Sequence, residues 1–197
     1  MKKKKIFSCL SGLVVVISVA VVPSASASEN KYLSVPIVQQ AKSSWCWVAS
    51  SKSLALYFGG VDDTQCQYFR WGKSTDDCPD ESGDFFNVSK ALAGGGVSDR
   101  GTIVQRALTT EEIMDGIRHD SPMLMRWGWK DVSMESEESS GFTGGHMMVI
   151  SGYQYAPTFF AVAYMDPLLP YITSALYENA VEDYRHVWTH SRYGMGG

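Results

Sequence analysis

The feature of this chain that most constrains its fold is a set of reactive side chains spread along the sequence. Cys46 lies between two tryptophans, His146 follows 100 residues later, and Asp166 closes an apolar run 20 residues after that. A thiol, an imidazole and a carboxylate in this order are the parts of a site for nucleophilic catalysis by a thiolate. They can act together only if the fold brings both ends of this span to one place.

Each part of this set has an expected role. A thiol attacks well only as a thiolate, and an imidazolium together with a helix N-terminus lowers a thiol pKa from about 8.5 to roughly 4–7. His146 is the expected imidazole, and Asp166 is expected to fix its tautomer through the other ring nitrogen. The side-chain amide of Gln40 and the backbone N–H of Cys46 are the expected donors to a developing oxyanion.

Each residue also has an ordinary structural explanation. Cys46 can be a small buried hydrophobic residue, His146 a histidine at the start of a strand, and Asp166, which precedes a proline, a turn residue. Gln39 competes with Gln40 for the role of amide donor. The functional interpretation therefore depends on the joint order and spacing of these residues.

Three further histidines compete with His146 for the imidazole role. His119 ends a predicted surface helix, and His186 and His190 both follow Asp166 in the sequence. No two histidines have metal-ligand spacing with a carboxylate on one element, so a zinc site is not expected. The sequence predicts no metal and no cofactor.

The first 27 residues have the three parts of a secretory signal peptide. Four lysines form a basic start, an apolar stretch follows, and small residues end at a cleavage site after Ala27. A membrane anchor is the alternative, because the apolar run approaches the length needed to span a bilayer. Cleavage would leave residues 28–197 as a single domain, and the mature protein is expected to be secreted.

The net charge of the chain limits the kinds of molecule that it is expected to bind. Residues 1–27 contain four lysines and no acidic residue, so their removal changes the formal net charge from −4 to −8. An acidic protein of this kind is not expected to bind nucleic acid or an anionic membrane. No later apolar run is long enough for a second span, so no stable membrane association is expected after cleavage.

If the protein is exported, the number of its cysteines indicates which of them form a disulfide. Three cysteines remain after cleavage, and an oxidising compartment tends to pair thiols. Cys66 and Cys78 lie close together around a polar, turn-rich segment and are the predicted disulfide. Cys46 is then the unpaired thiol.

Capping residues and apolar runs predict the order of elements. Ser43 or Ser44 is expected to cap a helix from about Trp45 to Phe58, which puts Cys46 in its first turn. Three more helices are expected after Thr64, Asp84 and Thr109, the last with a capping box. Strands are expected over residues 122–129, 146–155 and 158–165, with one or two more after residue 171. Helices first and antiparallel strands second is an α+β pattern.

Residues 40–47 resemble the active-site block of the papain-like cysteine proteases, with a glutamine six residues before the nucleophile and a tryptophan just after it. Residues 145–153 resemble the histidine block of that superfamily, and residues 165–167 its third-member block. The resemblance runs from about residue 35 to 167. It is strongest to a small bacterial branch that contains secreted effector proteases and the related peptidases that process bacteriocin leaders.

The resemblance implies a papain-like α+β fold, with a helical lobe carrying Cys46 and an antiparallel β lobe carrying His146 and Asp166. It implies hydrolysis of peptide bonds by this triad through an acyl-enzyme, with Gln40 as oxyanion donor. Two departures are evident. The third member is Asp where plant papain has Asn, and the separation of 100 residues between Cys46 and His146 is shorter than in the plant enzymes.

Two other functions fit the same residues. One is acyl transfer to an amine, as in transglutaminases, and the other is a catalytically silent binding module on the same scaffold. The expected partner of an enzyme is a peptide or protein substrate. An acidic stretch that begins at Asp131 and includes Glu135, Glu137 and Glu138 either rims the cleft and favours basic peptides or forms a solvated loop.

Overall fold

A computed structural model describes residues 27–130 and 142–196. The expected signal peptide and the acidic stretch that begins at Asp131 therefore lie outside the described residues, apart from Ala27. No helix within the described ranges is long and apolar enough to cross a membrane.

The described residues form a mixed structure of helices and antiparallel strands, as expected for the α+β class. The helices are α1 (Cys46–Tyr57), α2 (Gln65–Lys73), α3 (Phe85–Gly94), α4 (Thr110–Arg118) and α5 (Tyr177–Val181). The strands are β1 (Glu29–Tyr32), β2 (Thr102–Val104), β3 (Met123–Lys130), β4 (Phe142–Ala156), β5 (Phe159–Met165), β6 (Ile172–Leu176) and β7 (His186–Tyr193).

All seven strands belong to one antiparallel sheet. The strand order is β2-β7-β3-β4-β5-β6, and β1 pairs with the C-terminal part of β4. Strand β4 is central because it pairs with β1, β3 and β5. The expected strands β3, β4 and β5 are confirmed within a few residues, and β6 and β7 are the two expected closing strands.

Three of the four expected helix starts are confirmed. Thr64 accepts a hydrogen bond from the backbone N–H of Gln67 at 3.1 Å. Asp84 and Thr109 each form a capping box, the latter with Glu112. These caps provide acceptors for N–H groups that a helix leaves without internal partners.

The expected serine cap of α1 is wrong. The residue at the N-cap position is Trp45, and no side chain caps this helix. Both serines bind Asp80 instead. The Asp80 carboxylate accepts hydrogen bonds from the Ser43 hydroxyl and, at 2.8 Å, from the Ser44 backbone N–H. Cys46 still falls in the first turn, as predicted.

Helix α1 is surrounded by the core. Eight of its twelve residues are buried, including three serines. Its small side chains allow close contact with the sheet, and the buried hydroxyl of Ser50 donates to the backbone carbonyl of Met147 on β4 at 3.0 Å. This bond connects the helix that begins at Cys46 to the strand that carries His146.

A buried arginine makes a second connection between helix and sheet. Arg192 on β7 is 2% exposed and donates to the backbone carbonyls of Phe85 at 2.9 Å and Arg100 at 2.5 Å. Burial lowers the pKa of Arg192 to about 10. The N–H groups of its guanidinium therefore connect the start of α3 to the edge of the sheet.

The cysteine prediction is confirmed. Cys66 and Cys78 form a disulfide with their Cα atoms 5.4 Å apart, and Cys46 is a free, half-buried thiol. Disulfides of this kind are typical of proteins that fold in an oxidising compartment.

Candidate active site

Cys46 is the first residue of α1. The backbone N–H groups of a first helical turn have no acceptor inside the helix and carry partial positive charge. A thiolate at this position lies in the favourable field of those groups.

The two tryptophans beside Cys46 hold the start of α1 against the segment that follows Cys78. The indole N–H of Trp45 donates to the carbonyl of Pro79 at 2.9 Å, and that of Trp47 donates to the carbonyl of Glu81 at 3.1 Å. A Cβ atom on Gly83 would lie 2.5 Å from the Trp47 ring, so this position needs a glycine. The tryptophans therefore position the thiol and one wall of the cleft together.

The buried His146 and the half-buried Asp166 form a pair. The Nε2 atom of His146 lies 2.7 Å from Oδ1 of Asp166, and both residues lie close together because β4 and β5 are hydrogen-bonded neighbours. The backbone N–H of Leu168 donates to the same carboxylate at 2.9 Å. Since Nε2 faces the carboxylate, Nδ1 is the ring atom available to Cys46.

The charges of this group stabilise one another. Burial alone would lower the pKa of His146, but hydrogen bonds with Asp166 and Cys46 and the charges of both outweigh it and raise the pKa to about 9. Burial alone would raise the pKa of Asp166, but its bonds to His146 and to the Leu168 N–H lower it overall. The imidazolium and the carboxylate are therefore the forms present at neutral pH.

Gln40 lines the same cleft as Cys46 but is engaged elsewhere. Its amide nitrogen donates to the carbonyls of Lys42 at 2.9 Å and Ser43 at 2.7 Å. Its backbone N–H donates to the carbonyl of Pro167 at 2.9 Å, which fixes it beside the Asp166 loop. To serve as an oxyanion donor, the amide has to release one of its two carbonyl acceptors.

The reactive groups face an open cleft of about 510 Å³. Its lining includes Gln40, Cys46, Trp47, Gly83, Trp129 and His146. The Trp129 ring stacks on His146 with ring centres 6.2 Å apart and shields one side of the imidazole. A Cβ atom on Gly145 would lie 2.6 Å from the backbone oxygen of Trp127, so the close approach of β3 and β4 beside His146 needs a glycine here.

The competing histidines lie elsewhere. His119 is exposed at the end of α4, where its ring contacts the Asp115 carbonyl at 2.8 Å. His186 forms a second pair with Asp183 at 2.9 Å and stacks on the Trp127 ring, but it does not line the cleft with Cys46. His190 lines a neighbouring cavity.

Two residues near the site were not identified from the sequence. Ser50 lies one helical turn after Cys46 and binds the residue next to His146. Arg126 on β3 lines the same cleft as Cys46, and burial lowers the pKa of its guanidinium. An arginine within the apolar strand that begins at Met123 was the sequence feature that could have revealed it.

No group of three His, Cys, Asp or Glu side chains within residues 27–130 and 142–196 could hold a metal ion.

Residues 32–194 match the model of a family described as the Peptidase_C39 like family. The match covers the cysteine block, the histidine block and Asp166, and it confirms the resemblance to the papain-like cysteine proteases. No curated protein matches the chain.

We expect the free energy of unfolding to fall as the pH rises from about 6.5 through 9. A histidine with a native pKa raised to about 9 contributes its full stabilisation below the unfolded value of 6.5 and loses it as it deprotonates. Urea unfolding at pH 6, 8 and 10 should show this slope. Asp166→Asn removes the carboxylate partner and should flatten it, whereas equal slopes in the two proteins would contradict the pairing.

We expect Ser50→Ala to lower the free energy of unfolding by about 1–3 kcal/mol, because a buried carbonyl on β4 loses its partner. Ser51→Ala is the matched control, since the hydroxyl of Ser51 bonds only to the Trp47 carbonyl of its own helix. Its effect should stay within about 0.5 kcal/mol. Urea unfolding measures both variants, and equal effects would show that the bond between α1 and β4 is unimportant.

Proposed function

Because this chain belongs to the Peptidase_C39 like family, we propose that it is a cysteine peptidase that hydrolyses peptide bonds through an acyl-enzyme. The observation that carries the proposal is the bond of 2.7 Å between His146 and Asp166, with His146 and Cys46 lining the same cleft. A thiol and an imidazole in one cleft, with a carboxylate on the far side of the imidazole, are what acyl transfer to sulfur requires.

The reaction would proceed in two halves. The Cys46 thiolate attacks the peptide carbonyl carbon, and the C–N bond breaks as the His146 imidazolium gives its proton to the leaving amine. Water then attacks the thioester while the neutral imidazole accepts a proton from that water, and the Cys46 thiolate leaves with the imidazolium restored. Asp166 keeps the ring oriented and stabilises its charge throughout.

The carbonyl oxygen gains negative charge in both halves. The backbone N–H of Cys46, at the positive end of α1, is the first donor we propose. The Gln40 amide is the second, once a substrate oxygen replaces one of its carbonyl acceptors. A preorganised donor of this kind is worth roughly 10²–10³ in kcat.

We also propose that residues 28–197 form one papain-like domain, with a helical lobe bearing Cys46 and a β lobe bearing His146 and Asp166. Residues 1–27 would direct its export and then be removed. The disulfide between Cys66 and Cys78 supports a site of folding outside the reducing cytosol.

Substitution of each triad residue should cause a graded loss of peptidase activity. Cys46→Ala and His146→Ala remove the nucleophile and the proton carrier and should leave no detectable turnover. Asp166→Asn keeps both reactive groups but frees the imidazole to take the wrong tautomer, so the loss should reach up to the ~10⁴-fold seen for the corresponding aspartate of a serine protease. Kinetics on a peptide substrate would measure the series.

Asp183→Asn is the matched control, because it alters the other histidine–aspartate pair, which lies away from the cleft. It should leave kcat near the unchanged value. A folded His146→Ala protein with near-normal kcat would eliminate this assignment, and so would equal losses in Asp166→Asn and Asp183→Asn.

The exported protein should begin at Ser28, within a residue or two. Intact-mass measurement of the exported protein tests this, and Ala27→Leu should block cleavage because the cleavage site requires small residues. Ala20→Leu lies in the apolar stretch and is the control that should be processed normally. A membrane-bound product that retains Met1 would overturn the proposal.

A further inference from the structure

A second cavity opens beside the cleft that holds Cys46. Its volume is about 600 Å³, and Gly83, Arg126 and Met147 line both spaces. Because the two cavities share walls, a peptide whose carbonyl lies at Cys46 can place a neighbouring side chain in the second cavity. What lines that cavity therefore bears on which peptides are cleaved.

Arg126 is held rigidly at the boundary between the two cavities. Its Nη1 atom donates to the hydroxyl of Thr189 at 2.8 Å, and its Nη2 atom donates to the carbonyl of Gly144 at 3.1 Å. These bonds use two of the five N–H groups that a guanidinium carries. The other three have no acceptor among the residues that the structure describes.

Arg126 also has no carboxylate partner within the described ranges. No Asp or Glu there forms an ion pair with it. Asp84 lines the same cavity, but its carboxylate accepts the N–H groups of Phe86 at 2.9 Å and Asn87 at 2.8 Å as the cap of α3. Half-buried charges are costly without a partner, and a guanidinium pairs best with a carboxylate.

His190 adds a second polar group to this cavity. Its Nδ1 atom is buried with no hydrogen-bond partner in the described part of the chain. Burial and the charge of Arg126 lower the pKa of His190, so the ring is neutral at pH 7. The rest of the lining is partly apolar, with Phe85 and Met147, and suits the aliphatic part of a side chain.

We propose that this second cavity binds an aspartate or glutamate side chain of the substrate, close to the bond that is cleaved, through the guanidinium of Arg126. The proposal rests on the proposed peptidase function and specifies its substrate class. Arg126 is then a specificity-determining residue, and its planar fork accounts for selection of a carboxylate over an amide of the same shape.

The test is the ratio of kcat/KM for peptides that differ only by Glu or Gln, at each of two positions on either side of the cleaved bond. At one position the Glu peptide should be favoured roughly 10- to 100-fold, as expected for a hydrogen bond to a charged group. Arg126→Gln should reduce this ratio to about one, and Arg126→Lys should retain part of it. A change in thiol reactivity cancels in the ratio.

Arg70→Gln is the matched control, since Arg70 is exposed on α2 and lines neither cavity. It should keep the full ratio. Ratios within twofold at all four positions would overturn the proposal, as would a preference for Lys over Glu or an Arg126→Gln enzyme with an unchanged ratio.

Binding of the same peptides to the full-length Cys46→Ala protein, by calorimetry, separates the two proposals. Tighter binding of Glu than Gln peptides without turnover by the unaltered protein would remove the peptidase function and retain the acidic site. Turnover by the unaltered protein, with equal binding of Glu and Gln peptides, would retain the peptidase function and remove the acidic site.

Discussion

The hydrogen bond between the Ser50 hydroxyl and the Met147 carbonyl is the contact on which the geometry of the site depends. It joins two elements that are almost a hundred residues apart in sequence, one turn beyond Cys46 on the helix and one residue beyond His146 on the strand. Both partners are buried, so a shift of helix against strand would leave polar atoms without water or protein partners. The distance between thiol and imidazole is therefore fixed by packing beneath them.

The cleft has a charge balance opposite to that of the whole chain. The formal net charge is −4, yet the imidazolium of His146 and the guanidinium of Arg126 both face the cleft that holds Cys46. Asp166 is paired with His146, so its charge is already compensated. In the proposed reaction, the remaining positive charge would stabilise the oxyanion that forms on the substrate.

Much of the fold could be predicted because its determinants are local. Thr64, Asp84 and Thr109 each start a helix through contacts within three residues, and the long apolar runs of β3, β4 and β5 mark the centre of the sheet. The serine cap of α1 failed because its competitor, Asp80, lies some 36 residues away. Arg126 and Ser50 went unrecognised for the same reason, since their importance comes from neighbours on other elements.

The separation of the site into one adjacent pair and one distant group has a consequence for folding. His146 and Asp166 lie on neighbouring strands of one hairpin, 20 residues apart, whereas Cys46 is 100 residues from His146. Closing the longer loop costs about 1.4 kcal/mol more in conformational entropy, which favours docking of α1 after the hairpin has formed. Until α1 docks, Cys46 does not lie beside His146, so the proposed active site would be assembled only late in folding.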